Sequence, residues 1–127
     1  IIESSFNKSD YIIIKDFVSF EKIANLRFAS DVLINLREKD QYTASIFEGN
    51  LSFNQVVTGA WLPYDDYFSE MKVEAIKEMS ELPSVIEKVF EDDQLVEKLE
   101  HNRNIVMEKY YYEAALEKWL NLHKSFC

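Results

Sequence analysis

A chain of 127 residues, 47% of them apolar and 29% charged, is long enough for one domain with a buried core and too apolar to be disordered. Fourteen basic against 23 acidic residues give a net charge of −9. No basic block is present to neutralise phosphates, which excludes a nucleic-acid binder. No apolar run approaches the roughly 18 residues that span a bilayer. The first residues, Ile1-Ile2-Glu3-Ser4-Ser5, lack the basic and apolar regions of a signal peptide, and there is no starting Met, so a fragment of something longer is expected. The single cysteine, Cys127, rules out a disulfide framework and fits a reducing, cytoplasmic setting.

In chain order, the β-branched run Tyr11-Ile-Ile-Ile14 predicts a strand buried on both faces. Ser19 is an N-cap and Glu21 a first-turn acid for a helix whose apolar face is Phe20, Ile23, Ala24 and Leu26. Asp31 to Leu36 predicts a second strand, Thr43 to about Ser52 a helix, and Gln55 to Thr58 a third strand ending at Gly59. Strand, helix, strand, helix, strand at this spacing implies parallel β-α-β units with right-handed crossovers. Val73-Glu-Ala-Ile76 fits a further short strand or a helix. From Pro83, suited to a first helical position, the pattern is helical. One helix carries Val85, Ile86, Val89 and Phe90, and a second begins at Asp92-Asp93. A third carries Ala114, Ala115, Leu116, Trp119, Leu120 and Leu122. The expected fold is therefore α/β: a partial Rossmann-like parallel sheet of three to four strands over 1–79, with C-terminal helices over 80–127.

The stretch between the second and third strands carries the chemistry. Asp40 and Glu48 are separated by seven residues, and Glu48 lies inside a helix that starts just after a strand. In an open α/β sheet, ligands bind in the crevice beyond the strands' carboxyl ends, where a helix N-terminus favours anions. Taken alone, Asp40 belongs to the charged run Arg37-Glu-Lys-Asp40, the usual composition of a solvated loop, and Glu48 could be a surface carboxylate. Trp61-Leu-Pro-Tyr64-Asp-Asp-Tyr67 is a second site-like stretch, an aromatic and acidic loop after the third strand, for which packing of Trp61 and Tyr64 onto the core is the simpler account. Tyr110-Tyr-Tyr112 reads as helix packing. His101 and His123 have no second ligand at a useful spacing, so no metal site is assigned, and Cys127 has no basic neighbour to activate it.

These segments, in this order, resemble the retaining glycosyltransferases of family 4. Ile12 to Ser19 followed by Glu21-Lys-Ile-Ala-Asn-Leu26 looks like the family's strand, turn and "e-l-x-x-l-y" helix, and Ala29-Ser-Asp-Val-Leu-Ile34 is similar to its "a-D-v-x-v" strand. Asp40-Gln-Tyr-Thr-Ala-Ser-Ile-Phe-Glu48 is similar to the "E-G-F-G/S-x-x-x-L-E" donor motif. Val56-Val-Thr58 stands where the family has "P-V-I/V-a/t", and Leu82-Pro83 to Asp92 looks like its helical tail.

The resemblance implies the C-terminal, nucleotide-sugar-binding half of a GT-B enzyme that transfers a sugar from a nucleotide diphosphate to a glycan or lipid-linked acceptor, without an essential metal. It assigns the ribose hydroxyls to Glu48, the transferred sugar to Asp40, and the diphosphate to the N–H groups of Thr43, Ala44 and Ser45. The first acid is Asp where the family usually has Glu, and Gly49 to Gln55 lacks the Gly and Pro of the family's following loop. In that family the Gly-Arg and Lys phosphate contacts and the acceptor domain lie upstream, so the resemblance implies a fragment inactive by itself. It leaves open peripheral membrane association of the full-length enzyme. A patch of Tyr110, Tyr111, Trp119 and Phe126 would be the face docking onto the missing domain, and its exposure would favour dimers of the fragment. A nucleotide-sugar epimerase of the same fold is the alternative enzyme, and a small acidic interaction module with an aromatic helical tail is the alternative outside enzymes.

Overall fold

The structure, a computed structural model, describes residue 7, residues 10–39 and residues 44–125. Its centre is a three-stranded parallel sheet of β1 (Val32–Asn35), β2 (Gln55–Gly59) and β3 (Glu74–Ile76), paired in sequence order with β2 in the middle. A strand covered on both faces and paired on both edges must be apolar or internally satisfied throughout, and every residue of β2 is buried. The parallel β-α-β reading of the sequence describes this arrangement, and the segment over Val73–Ile76 resolves as the strand β3.

Helix α1 (Phe20–Phe28) begins where Ser19 caps it, its Oγ accepting the Lys22 N–H at 3.3 Å, and Arg27 stands in its last turn, where a cation complements the helix dipole. The crossover from β1 to β2 contains α2 (Ala44–Leu51), whose Gly49 lies so close to Leu33 of β1 that a Cβ there would press on Leu33 Cδ2. Between β2 and β3 runs α3 (Asp65–Glu70), with two acids in its first turn. A 3₁₀ turn (Met79–Glu81) leads into α4 (Leu82–Phe90), with Pro83 in its first turn as its composition predicts. Helix α5 (Leu95–Ile105) passes into a π-turn (Val106–Tyr110), and α6 (Tyr112–Ser125) follows. No helix among the described residues is long and apolar enough to cross a membrane.

The core gathers on one face of the sheet, where Val56 of β2, Ile46 of α2, Leu62, Tyr64, Tyr67, Met71 and Val106 are buried together. Phe47 meets Tyr67 edge to face at 5.8 Å and stacks on Tyr110 at 4.6 Å, joining α2 to both α3 and the π-turn. Polar groups complete it. Asn102 of α5 grips the backbone of Lys72, its Oδ1 accepting the N–H at 2.6 Å and its Nδ2 donating to the carbonyl at 3.0 Å. Asn54 donates from its carboxamide to the carbonyls of Arg27 and Ser30, tying the end of α1 to the start of β2.

Three expectations change. Tyr11–Ile14 is not a strand: the run is irregular, Ile12 is 84% exposed, and no strand lies beside it among the described residues. Strand propensity is expressed only against a neighbour that takes up the ladder bonds and covers a face. The helix expected from Asp92-Asp93 starts at Leu95, because Asp92 serves as a turn residue whose Oδ1 accepts the Gln94 N–H at 2.9 Å. The stretch after Pro63 contains α3 rather than loop alone.

Candidate functional site

In a parallel sheet all strands deliver their carboxyl ends to one side. Here these are Asn35 of β1, Gly59 of β2 and Ile76 of β3, and in a β-α-β crossover the first turn of α2 returns to that same side. Leu33 faces Gly49, and two residues further along β1 is about 6.6 Å, or about four residues back along a helix. Asn35 therefore comes level with Ser45 in the first turn of α2. The opening N–H groups of a helix have no partner within it and carry its positive end. Of the predicted diphosphate contacts, Ala44 and Ser45 lie in this turn. Thr43 and Asp40 fall outside the described residues, as do Phe126 and Cys127.

Glu48 is the fifth residue of α2 and points toward α1, where its Oε2 pairs with Arg27 Nη1 at 2.5 Å. The pair lines a groove of about 430 Å³ between α1 and α2 whose other walls are Phe20, Ile23, Phe28 and Leu51. The Glu48 side chain keeps 47% of its surface exposed, so the salt bridge is wet and worth little to stability, about 0–1 kcal/mol. The volume falls within the range of small-ligand clefts.

One residue at the end of β1 was not assigned a role by pattern or by resemblance. Asn35 interrupts the apolar run of β1. It is nine-tenths buried, its carbonyl accepts the Thr58 hydroxyl at 2.9 Å, and its Nδ2 has no hydrogen-bond partner among the described residues. A polar residue inside a buried strand is the signal that could have marked it. Trp61 and Tyr64, taken together as packing residues, part company. Tyr64 is fully buried, whereas Trp61 is 42% exposed and lies over Gly59, where a Cβ would collide with its indole ring. Its Nε1 donates to the Arg37 carbonyl at 2.8 Å, so the side chain reaches from the end of β2 to the loop after β1.

Behind the site, the Asn50 carboxamide of α2 donates to the Tyr67 hydroxyl at 2.8 Å. Burial pushes that phenol above its ordinary value, so it stays protonated at any physiological pH. Glu70, at the end of α3, receives Lys109 Nζ at 2.6 Å and the Tyr110 hydroxyl at 3.2 Å. The hydrogen bond from Lys109 leads in holding its carboxyl below the usual range. His101 is a structural contact, its Nε2 lying 2.9 Å from the Glu70 carbonyl. Among the described residues no group of three His, Cys, Asp or Glu side chains could hold a metal ion.

What the arrangement can do chemically follows from its donors and acceptors. The first turn of α2 offers N–H donors to an oxyanion, Glu48 offers a carboxylate to hydroxyls, and Trp61 offers a flat apolar face. Compared with known proteins, the chain matches no family model, no curated protein and no solved structure.

Proposed function

We propose that this chain is the donor-binding part of a glycosyltransferase, holding a nucleotide-diphospho-sugar at the carboxyl ends of its strands. The observation that carries the reading is the parallel sheet with the first turn of α2 beside the carboxyl end of β1, the location where open α/β sheets bind phosphate-bearing ligands. The diphosphate lies against the N–H groups of Ala44 and Ser45, with Thr43 beside them. Arg27 takes Oε2 of Glu48, which leaves Oε1 to accept from the ribose hydroxyls. Asp40 contacts the transferred sugar. Stabilising the departing diphosphate by fixed N–H dipoles is an electrostatic contribution of the size that dominates such steps, and it requires no metal.

The sheet order is compatible with the same reading. In a doubly wound sheet ordered 3-2-1-4-5-6, strands 1 to 3 and strands 4 to 6 each lie side by side in sequence order, and strand 3 forms the edge opposite strand 6. If β1, β2 and β3 are strands 4 to 6, the Tyr11–Ile14 run corresponds to strand 3, whose neighbours come from elsewhere. Its exposed isoleucines then belong to a sheet completed by a preceding region of the same enzyme, which also supplies cationic phosphate contacts and the acceptor-binding domain. The acceptor is a glycan or lipid-linked saccharide, as in cell-surface polysaccharide synthesis.

The test is Glu48→Ala in the full-length protein, assayed for sugar transfer from nucleotide sugars. The reading predicts a loss of orders of magnitude, and activity within a fewfold of wild type removes Glu48 from the site. Product analysis separates a transferase from an epimerase, which would convert the donor with no acceptor present. One observation favours a different reading, an interaction module. Helix α6 buries none of its residues, and Trp119 is 70% exposed on it. That reading predicts a partner footprint on α6 and no response to nucleotide sugar.

A further inference from the structure

We infer that Trp61 is the platform on which the transferred sugar ring stacks, an inference that rests on the donor-site reading above. Trp61 keeps 42% of its surface exposed while being held on two sides, which combines a fixed ring with an open surface for a stacking ligand. The hydrogen bond from Nε1 to the Arg37 carbonyl fixes the edge of the indole, and Gly59, having no Cβ, lets the ring lie directly on the backbone at the end of β2. A side chain serving only as a strap between the two loops needs the hydrogen bond but not an exposed ring face. Tyr64, three residues on, shows how completely this segment can bury an aromatic ring.

The donor reading also orients the ligand. Glu48 turns toward α1, so the ribose end of the donor lies on that side of α2. The diphosphate occupies the first turn of α2. The other end of the molecule then extends toward the carboxyl end of β2, where Trp61 stands. A pyranose presents C–H groups on one face, which suit the electron-rich face of an indole, and its hydroxyls remain on the rim for polar groups.

The chain has two tryptophans, so a Trp119→Phe variant leaves Trp61 as the only indole reporter. Its acrylamide quenching is measured during titration with a panel of nucleotide-hexoses and the matching nucleoside diphosphates, with calorimetry recording binding independently. The expected result is that a nucleotide-hexose shields Trp61 while its nucleoside diphosphate binds without shielding. Trp61→Ala should then weaken nucleotide-hexose binding about five- to tenfold, the scale of one aromatic stacking contact, and leave nucleoside diphosphate binding unchanged. Trp61→Phe, which keeps a ring but loses the bond to Arg37, should fall between. Binding of the nucleotide-hexose with Trp61 quenching unchanged overturns the platform and leaves the donor site standing. Equal shielding by the nucleoside diphosphate overturns the assignment to sugar. Equal weakening of both ligands by Trp61→Ala reduces the residue to a strap. Heat from none of the ligands, with the full-length protein equally silent in calorimetry, overturns the donor reading and this inference together. Should Trp61→Ala not fold, the quenching of the intact ring decides.

Discussion

Two regions of this chain use aromatic and aliphatic side chains in opposite ways. From β2 through the π-turn, Tyr64, Tyr67, Ile76 and Val106 are buried, and the Tyr67 hydroxyl accepts from the Asn50 carboxamide. From Tyr11 to Phe28, Ile12, Phe17, Phe20 and Phe28 face solvent, and α1 buries no residue at all. The residue types hardly differ, so hydrophobicity alone does not decide burial. What differs is the supply of partners: the segment from β2 to the π-turn has a paired central strand and three helical segments closing over it, whereas Tyr11–Phe28, the first region in the chain, has only the ends of α2 and β2. Burial needs a surface on the other side.

The largest effect expected from this contrast is at Tyr67. Truncation by Tyr67→Ala removes a fully buried ring that touches Phe47, Tyr64 and Phe68, and should cost about 3–5 kcal/mol in urea unfolding. Next is Asn102→Ala, which strips the two Asn102 bonds from the Lys72 backbone and costs its N–H that acceptor, while Gln55 Nε2 still donates to the carbonyl at 3.1 Å, at about 1–3 kcal/mol. A pH series isolates a third effect. Because burial raises the Tyr67 phenol above its ordinary 10.0, the folded state keeps a proton that the unfolded state releases. Stability is therefore full below that value and falls as pH rises beyond it, by up to about 1.4 kcal/mol per pH unit for one proton. Tyr67→Phe should flatten that decline. The smallest effect is Phe20→Ala on the exposed face of α1, within about 0.5 kcal/mol of the parent chain. A loss there as large as that of Tyr67→Ala would mean that the first region is packed after all, and would break the comparison.

The sequence-level reading succeeds where local pattern and environment agree. Asp31–Leu36 and Gln55–Thr58 are short apolar runs bounded by turn residues, and both contain strands of the sheet. Ser19 announces the start of α1 because an N-cap is a local interaction. Tyr11–Ile14 fails for the converse reason, since a strand is a relation between segments and no neighbour is present among the described residues. Helix α3 was hidden behind Trp61-Leu-Pro63, which reads as loop, while its own six residues are too few to show a period. At the candidate site, Glu48 was legible as a helical carboxylate, but its pairing with Arg27 spans 21 residues and no local signal carries it. The same holds for Trp61, whose exposure and whose bond to Arg37 depend on how two loops meet.

The most direct test of the central claim is an amide chemical-shift titration of the isotope-labelled chain with nucleoside diphosphates. The account predicts saturable shifts at Ala44, Ser45 and Ile46 in the first turn of α2 and at Glu48, with α6 unmoved. Shifts confined to α6, or none at all in the first turn of α2, would contradict it.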